Sequence, residues 1–92
     1  MRTLLISYDL ARPGDEYPRL LAYLRAHAGT KPLGTAWVIR TPKTPLRVRD
    51  DIFELTGEGD EVLIIDVTGS RWATTFEDCT TDWMQVRMPA RR

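Results

Sequence analysis

The chain of 92 residues is long enough for one domain and too short for a separate cofactor domain, since stable domains run from roughly 50 to 200 residues. Its composition, 42% hydrophobic and 28% charged, is typical of a folded globular protein and excludes a disordered one. Thirteen basic residues balance thirteen acidic ones. A neutral chain is a poor non-specific nucleic-acid binder, because such binding scales with the number of phosphates neutralised.

The neutral total conceals an uneven distribution of charge. Residues 1–49 carry nine basic and three acidic side chains, a net of +6, whereas residues 50–92 carry four basic and ten acidic ones, a net of −6. Folding that keeps the two halves apart would present a basic face to a nucleic acid. The alternative is a set of ordinary solvated surfaces whose charges form ion pairs within the chain.

The sequence predicts neither a membrane span nor a secretory signal. Its longest apolar runs are far below the roughly 18 residues that a membrane span needs, and Met1-Arg2 leads directly into a predicted strand. The single cysteine, Cys79, cannot form an internal disulfide or, by itself, a thiolate zinc site. We interpret it as a partly buried thiol and expect a cytoplasmic protein without membrane contact.

The first half of the chain predicts a strand, a helix and a strand pair. Residues 3–8 are apolar and β-favouring, which indicates a buried strand that stops at Asp9. Asp15 is suited to cap the helix that follows. Residues 31–34 and 35–40 then predict an uneven hairpin. The apolar face of the helix comprises Tyr17, Leu20, Leu21, Leu24 and Ala28.

The second half predicts a helix and a strand. Thr44 is suited to cap the helix, with Pro45 in its first position. Residues 61–67 are the most β-branched segment of the chain, which predicts a central strand. The core is expected to span residues 1–69, with residues 70–92 as a C-terminal extension of the same domain. The apolar stripe of the helix comprises Val48, Ile52, Phe53 and Leu55.

The order strand, helix, strand pair, helix, strand predicts a ferredoxin-like βαββαβ sandwich. This is an α+β fold with an antiparallel sheet and both helices on one face, and its first and third strands lie in the middle. Asp9 is then expected beside the starts of the third strand, at Thr35, and of the fourth, at residues 60–61. Asp66 is expected toward the opposite edge, so that Asp9 and Asp66 do not share a site.

The C-terminal extension predicts a fifth strand at residues 70–76 and a short helix at residues 78–86. Trp72 and Phe76 in the first segment and Trp83 in the second are large apolar side chains that need a surface to cover. We therefore expect the extension to contribute to a homodimer interface.

Sequence motifs for catalysis are few. The single histidine, His27, is expected at a helix end, where a cation near the negative terminus is favourable. The sequence contains no glycine-rich phosphate loop and no paired-cysteine motif, and its oxygen donors suit magnesium or manganese rather than zinc. Asp9 alone would bind such an ion weakly. A second carboxylate would come most simply from a two-fold partner.

Two segments of the sequence resemble the CRISPR-associated Cas-two family and its VapD-type relatives. The first is the strand end Ile6-Ser7-Tyr8-Asp9 with the amphipathic helix after it, and the second is Thr35-Ala36-Trp37-Val38 at the start of the third strand. The resemblance covers roughly residues 1–67, and its motifs are short. It implies a ferredoxin-like homodimer in which two Asp9 carboxylates face each other across the two-fold axis and hold one Mg²⁺ or Mn²⁺ ion.

The resemblance also implies roles for individual residues. Tyr8 and Asp9 match the family's Tyr-Asp pair, which makes both catalytic candidates and Asp9 the metal ligand. Thr35 replaces the usual serine before the aromatic residue of the later strand. Candidate nucleic-acid-binding residues are Arg12, Arg19, Lys31 and Arg40. Candidate dimer-interface residues are Trp37, Trp72 and Phe76.

Three functions remain open at this point. The first is a metal-dependent endonuclease that acts on RNA or DNA, and the second is a non-catalytic dimeric scaffold that binds nucleic acid. The third is a ferredoxin-like module that binds a small ligand or a protein partner and no nucleic acid. The near-zero net charge favours weak catalysis over a vigorous nuclease.

Overall fold

The computed structural model describes residues 1–12, 17–27, 29–73, 75 and 83–86. The order of its helices and strands is the predicted one, and the chain is a small α+β protein. No helix in this described part is long and apolar enough to cross a membrane. The elements are β1 (Arg2–Asp9), α1 (Pro18–Arg25), β2 (Thr30–Leu33), β3 (Ala36–Thr41), α2 (Pro45–Phe53) and β4 (Glu61–Asp66).

The strands form one antiparallel sheet in the order β2-β3-β1-β4. β1 pairs with β3 along almost its whole length, with Leu4 opposite Ile39. On its other side β1 pairs with β4, with Asp9 opposite Glu61. β1 and β3 are therefore the two central strands, and β4 lies at an edge.

The edge position of β4 overturns the expectation, drawn from its β-branched composition, that residues 61–67 form a central strand. Val62 and Ile64 pack against the core, whereas Leu63 and Ile65 are 58% and 44% exposed. A run of apolar residues is ambiguous in this respect, because composition does not distinguish a strand covered on both faces from one covered on a single face.

Both helices pack against the same face of the sheet, which we call the helix face. Its buried residues come from β1, β3, α1 with the preceding Tyr17, and α2, and seven of them are at most 1% exposed. Phe53 was expected to widen the apolar stripe of α2, but it is 78% exposed. It follows Ile52 by about 100° around the helix and so points away from the sheet. The core residues fully buried on this face are Leu4, Ile6, Leu20, Leu24, Ile39, Val48 and Ile52.

The two helices begin in different ways. Thr44 caps α2 as predicted: its Oγ1 accepts a hydrogen bond from the backbone N–H of Arg47 at 3.2 Å, and Pro45 occupies the first position. α1 instead begins at Pro18, with Tyr17 before it in a left-handed conformation (φ 46°) and no side-chain cap. The predicted cap, Asp15, lies outside the described residues.

The C-terminal extension packs on the opposite side of the sheet, which we call the open face. Residues 70–73 and 75 are not in a strand, so the predicted fifth strand is wrong for these positions. Residues 83–86 are helical, in agreement with the end of the predicted helix. Trp72, Trp83 and Met84 cover Leu5 and Val38 of the chain's own sheet, which is the surface that these large apolar side chains needed.

Candidate functional site

Asp9 is the last residue of β1 and is exposed. It lies directly opposite Glu61, the first residue of β4, and Glu61 is exposed as well. Opposite residues of antiparallel strands share a face of the sheet, so the two carboxylates lie together on the open face. This confirms the expectation that Asp9 adjoins the start of the fourth strand. We call Asp9 and Glu61 the carboxylate pair.

No residue that the structure describes neutralises the carboxylate pair. Among the described residues, no hydrogen bond or ion pair involves the carboxylate of Asp9 or of Glu61. Like charges placed directly opposite each other destabilise an antiparallel pair. The pair lines a shallow depression of about 260 Å³, together with Ser7, Tyr8, Val62 and Leu63.

A third acid at this end of the sheet, Asp60, has a carboxylate that is already hydrogen-bonded within the chain. Its Oδ1 accepts hydrogen bonds from the backbone N–H of Ala11 and from the Tyr17 hydroxyl, both at 2.8 Å, and its Oδ2 accepts one from the backbone N–H of Gly57 at 2.8 Å. The Gly57 and Ala11 bonds hold the pKa of Asp60 below its usual value. Asp60 therefore joins the loop between α2 and β4 to the loop between β1 and α1, and both of its carboxylate oxygens already accept hydrogen bonds.

The remaining sequence-predicted neighbours of Asp9 fall as expected. The backbone N–H of Tyr8 donates to the carbonyl of Thr35 at 3.0 Å, so the start of β3 adjoins the end of β1. Asp66 lies opposite Leu4 at the other end of β4 and does not share a site with Asp9. Tyr8 packs against the core of the helix face, so its ring points away from the carboxylate pair.

The four predicted nucleic-acid-binding residues are not gathered into one patch. Arg12 and Arg19 are exposed and follow the end of β1, Arg12 in the loop and Arg19 in the first turn of α1. Lys31 is exposed on the edge strand β2. Arg40 is opposite Thr3, which is six residues from Asp9 and hence roughly 20 Å away along β1. The guanidinium carbon of Arg12 lies 5.6 Å from the centre of the Tyr17 ring.

The uneven charge of the two halves is partly neutralised within the chain. Ion pairs of the described residues join basic side chains of the first half to acidic side chains of the second, as the alternative interpretation of the sequence expected. These pairs are Arg2–Asp66, Lys43–Asp51, Arg47–Asp51 and Arg49–Asp50.

Asp51 is the centre of the most extensive of these contacts. Its Oδ2 accepts hydrogen bonds from the Tyr23 hydroxyl at 2.6 Å and from Lys43 Nζ at 2.8 Å, while Arg47 Nε lies 3.2 Å from Oδ1. Lys43 and Tyr23 lower the pKa of Asp51, and burial together with Asp51 raises the pKa of Tyr23. The cluster links α1 to α2 and has no carboxylate oxygen to spare.

Two predicted dimer-interface residues have structural roles inside the chain. Trp37 is 5% exposed and belongs to the core of the helix face. Its assignment to an interface is therefore wrong, because the chain's own helices cover it. Trp72 packs on the open face of its own sheet. Phe76 and Cys79 lie outside the described residues.

The donor set fits a weakly held magnesium or manganese ion. No cluster of three or more histidine, cysteine, aspartate or glutamate residues is arranged to hold a metal in the part of the chain that the structure describes. The carboxylate pair supplies two hard oxygen ligands on one face. Mg²⁺ in proteins is commonly bound by one or two carboxylates and completes its shell with water and substrate phosphates.

Glu61 is the residue whose contribution sequence reasoning missed. The sequence placed it near Asp9, but the second carboxylate was sought in another subunit. The signal that identifies it is the strand register, which sets Glu61 directly opposite Asp9. Searches against protein-family models, curated proteins and solved structures found no match.

Proposed function

We propose that the protein is a Cas-two-like homodimer with a ferredoxin-like fold that acts on nucleic acid as a weak endonuclease dependent on Mg²⁺ or Mn²⁺. The observation that carries this proposal is the carboxylate pair. Two exposed acids lie opposite each other at the end of a central strand, and neither is hydrogen-bonded or ion-paired among the described residues. An arrangement that costs the fold stability is expected where a cation binds.

Each residue near the pair has a defined task in this proposal. Asp9 and Glu61 would hold the ion, which when bound would supply Lewis-acid activation of water and of a substrate phosphate. Arg12 contributes positive charge at the same end of the sheet. Tyr8 has its ring in the core, so we assign it a positioning role: its backbone bond to Thr35 fixes the end of β1.

The proposal differs in one respect from what the resemblance implies. The family likeness implies an ion shared by two Asp9 residues across a two-fold axis. Glu61 of the same chain already supplies the second carboxylate. We therefore propose one ion for each chain.

The test is a cleavage assay on labelled RNA, single-stranded DNA and duplex DNA with Mg²⁺, Mn²⁺ or EDTA. Asp9→Asn and Glu61→Gln are each expected to reduce metal-dependent cleavage by at least about a hundredfold, the usual scale for loss of a group that stabilises transition-state charge. Glu54→Gln is the matched control, because Glu54 is also an exposed acid but lies after α2. It should cleave like the wild-type protein.

The outcomes separate the open functions. Cleavage that persists in both Asp9→Asn and Glu61→Gln would point to a contaminating nuclease and refute the site. If the wild-type protein does not cleave but binds oligonucleotides with a steep salt dependence, the non-catalytic scaffold is the better description. Absence of both cleavage and binding would leave the ligand- or partner-binding module.

A further inference from the structure

Among the described residues, the backbone groups on the outer side of β4 have no strand partner. The backbone N–H of Val67 donates to the carbonyl of Thr3 at 2.9 Å, which fixes the phase of the β1–β4 ladder. Along an antiparallel strand, the backbone N–H and C=O groups of successive residues point alternately toward one neighbouring strand and away from it. Groups of β4 that point away from β1 are called outward. Leu63 and Ile65 therefore direct their backbone groups toward β1, and the outward groups belong to Val62, Ile64 and Asp66. No described strand pairs with this side of β4.

The same edge is apolar on both faces. On the open face, Leu63 and Ile65 are substantially exposed. On the helix face, Leu46 of α2 is 59% exposed and lines a groove of about 320 Å³ with Pro45, Arg49, Val62, Leu63 and Ile64. A flat, apolar edge strand with unpaired backbone groups is a template for another strand.

We infer that a second copy of this chain occupies the edge, with β4 pairing antiparallel to the partner's β4 about a two-fold axis at Ile64. In this register Ile64 lies opposite the partner's Ile64, and Val62 lies opposite the partner's Asp66. All the outward backbone groups of both strands are then hydrogen-bonded. On the open face, Leu63 meets the partner's Ile65 at a closely spaced pair, which buries both side chains.

Charge complementarity favours this register and a partner of identical sequence. Arg49 lines the groove beside Val62, so the partner's Asp66, opposite Val62, comes close to Arg49. The two-fold axis produces this contact twice. Shifting the partner by two residues in one direction would instead set Asp66 against the partner's Asp60, and shifting it in the other would pair residues beyond the end of β4 at Asp66.

The inference rests on the homodimer of the proposed function and specifies its interface. Pairing of two four-stranded sheets at this edge gives one continuous eight-stranded sheet. The two carboxylate pairs would lie on the same face, with the two Asp9 residues about 25 Å apart, from the usual strand spacings of about 4.8 Å across and 3.3 Å along a strand. This separation agrees with one ion for each chain and excludes a site shared by two Asp9 residues.

The first test is sedimentation equilibrium over a range of protein concentrations. The wild-type protein is expected to be a dimer, whereas Leu63→Lys, which introduces charge next to the partner's Ile65, should be monomeric at the same concentrations. Phe53→Lys is the matched control, since Phe53 is more exposed than Leu63 but lies outside the groove. It should remain dimeric. A wild-type protein that is monomeric throughout, or a Leu63→Lys variant that dimerises normally, would refute the inference.

The second test distinguishes neighbouring amides of the same strand. Hydrogen exchange measured by NMR should show the amides of Val62, Ile64 and Asp66 protected at high concentration and exchanging at least tenfold faster on dilution. The amides of Leu63 and Ile65 bond to β1 and should be protected at both concentrations. A concentrated dimer in which Val62, Ile64 and Asp66 exchange freely would place the interface elsewhere and overturn the inference.

These results are independent of those for catalysis. A monomeric protein that cleaves in a manner dependent on Asp9 would refute the interface and retain the hydrolytic site. A β4-paired dimer without cleavage would confirm the interface and refute the endonuclease.

Discussion

The two faces of the sheet differ in what their residues do. The helix face is closed: seven large apolar side chains from β1, β3 and both helices are at most 1% exposed. The open face is covered over Leu5 and Val38 by the C-terminal extension, but Leu63, Ile65 and the carboxylate pair remain at the surface. Alternation along β1 and β4 therefore assigns stability to one face and surface chemistry to the other.

The acids of the molecule show the same division. Asp51, Asp60 and Asp66 accept hydrogen bonds that lower their pKa values, and each holds segments of the fold together. Asp9 and Glu61 have no such partners among the described residues. The surroundings of an acid, not its position in a strand or loop, therefore identify the candidate metal ligands.

The largest effect is expected from truncation of the helix face. Ile52→Ala should lower the free energy of unfolding by about 2 to 5 kcal/mol, because it leaves a cavity among residues that cannot collapse fully. Leu63→Ala on the open face should change it by less than about 0.5 kcal/mol at concentrations where the protein is monomeric. Urea unfolding followed by circular dichroism measures the free energy of unfolding of both variants. Equal decreases would contradict the conclusion that the helix face contributes more to stability than the open face.

An intermediate effect is expected at the contact between the helices. Asp51→Asn removes the ion pairs with Lys43 and Arg47 and weakens the bond from Tyr23. A loss of roughly 1 to 2 kcal/mol is expected, since the contact is partly exposed and screened. Asp50→Asn is the control: Asp50 pairs only with the neighbouring Arg49 at the surface and should change stability little. Urea unfolding of both variants at neutral pH makes the comparison.

The pH dependence of stability should follow from the same acids. A carboxylate whose pKa is lowered by folding stabilises the native state above its unfolded pKa of about 3.8, and this stabilisation is lost as pH falls through the folded value. The wild-type protein should therefore lose stability below about pH 4. In Asp51→Asn the free energy of unfolding should fall less steeply as the pH is lowered, measured by urea unfolding between pH 7 and pH 2. An unchanged slope would mean that Asp51 titrates alike in both states.

The smallest effect, opposite in sign, is expected at the carboxylate pair. Glu61→Gln relieves the repulsion of Asp9 and should stabilise the monomer by about 0.2 to 1 kcal/mol, although the same variant is expected to lose most of the proposed metal-dependent cleavage. Thermal unfolding with and without Mg²⁺ provides the measurement. A variant that is less stable than the wild-type protein without metal would show that Glu61 makes a contact that supports the fold.

Sequence reasoning reached the order of β1 to β4 with the two helices, the end of β1 and the start of α2, since these depend on local signals such as the Thr44-Pro45 cap. It extended α2 past Phe53, where the helix ends. Alternation also placed Tyr8 and Asp9 on opposite faces. It failed where the outcome depends on what lies across the sheet. The composition of β4 does not reveal which strand lies beside it, and the apolar character of Trp37 is the same for a core residue as for an interface residue.

The position of the candidate site could also be predicted from the sequence, but the identity of its second acid could not. The proximity of Asp9 to residues 60–61 follows from topology, but the choice between Asp60 and Glu61 as its partner depends on register and on hydrogen bonds. The carboxylate of Asp60 already accepts hydrogen bonds from residues of the loops, and no sequence motif indicates this. Likewise the dispersal of Arg12, Arg19, Lys31 and Arg40 becomes visible only when the strands are in place.

The indole of Trp37 gives the molecule a built-in optical reporter. Among the described residues its Nε1 has no hydrogen-bond partner, and its ring is buried in the core of the helix face. We therefore expect its fluorescence emission at short wavelength. Trp72 and Trp83 on the other side are only partly buried and emit further to the red. Loss of packing of the C-terminal extension and unfolding of the helix face should therefore change the fluorescence emission at different wavelengths. One unfolding experiment that records the emission spectrum should distinguish the two events.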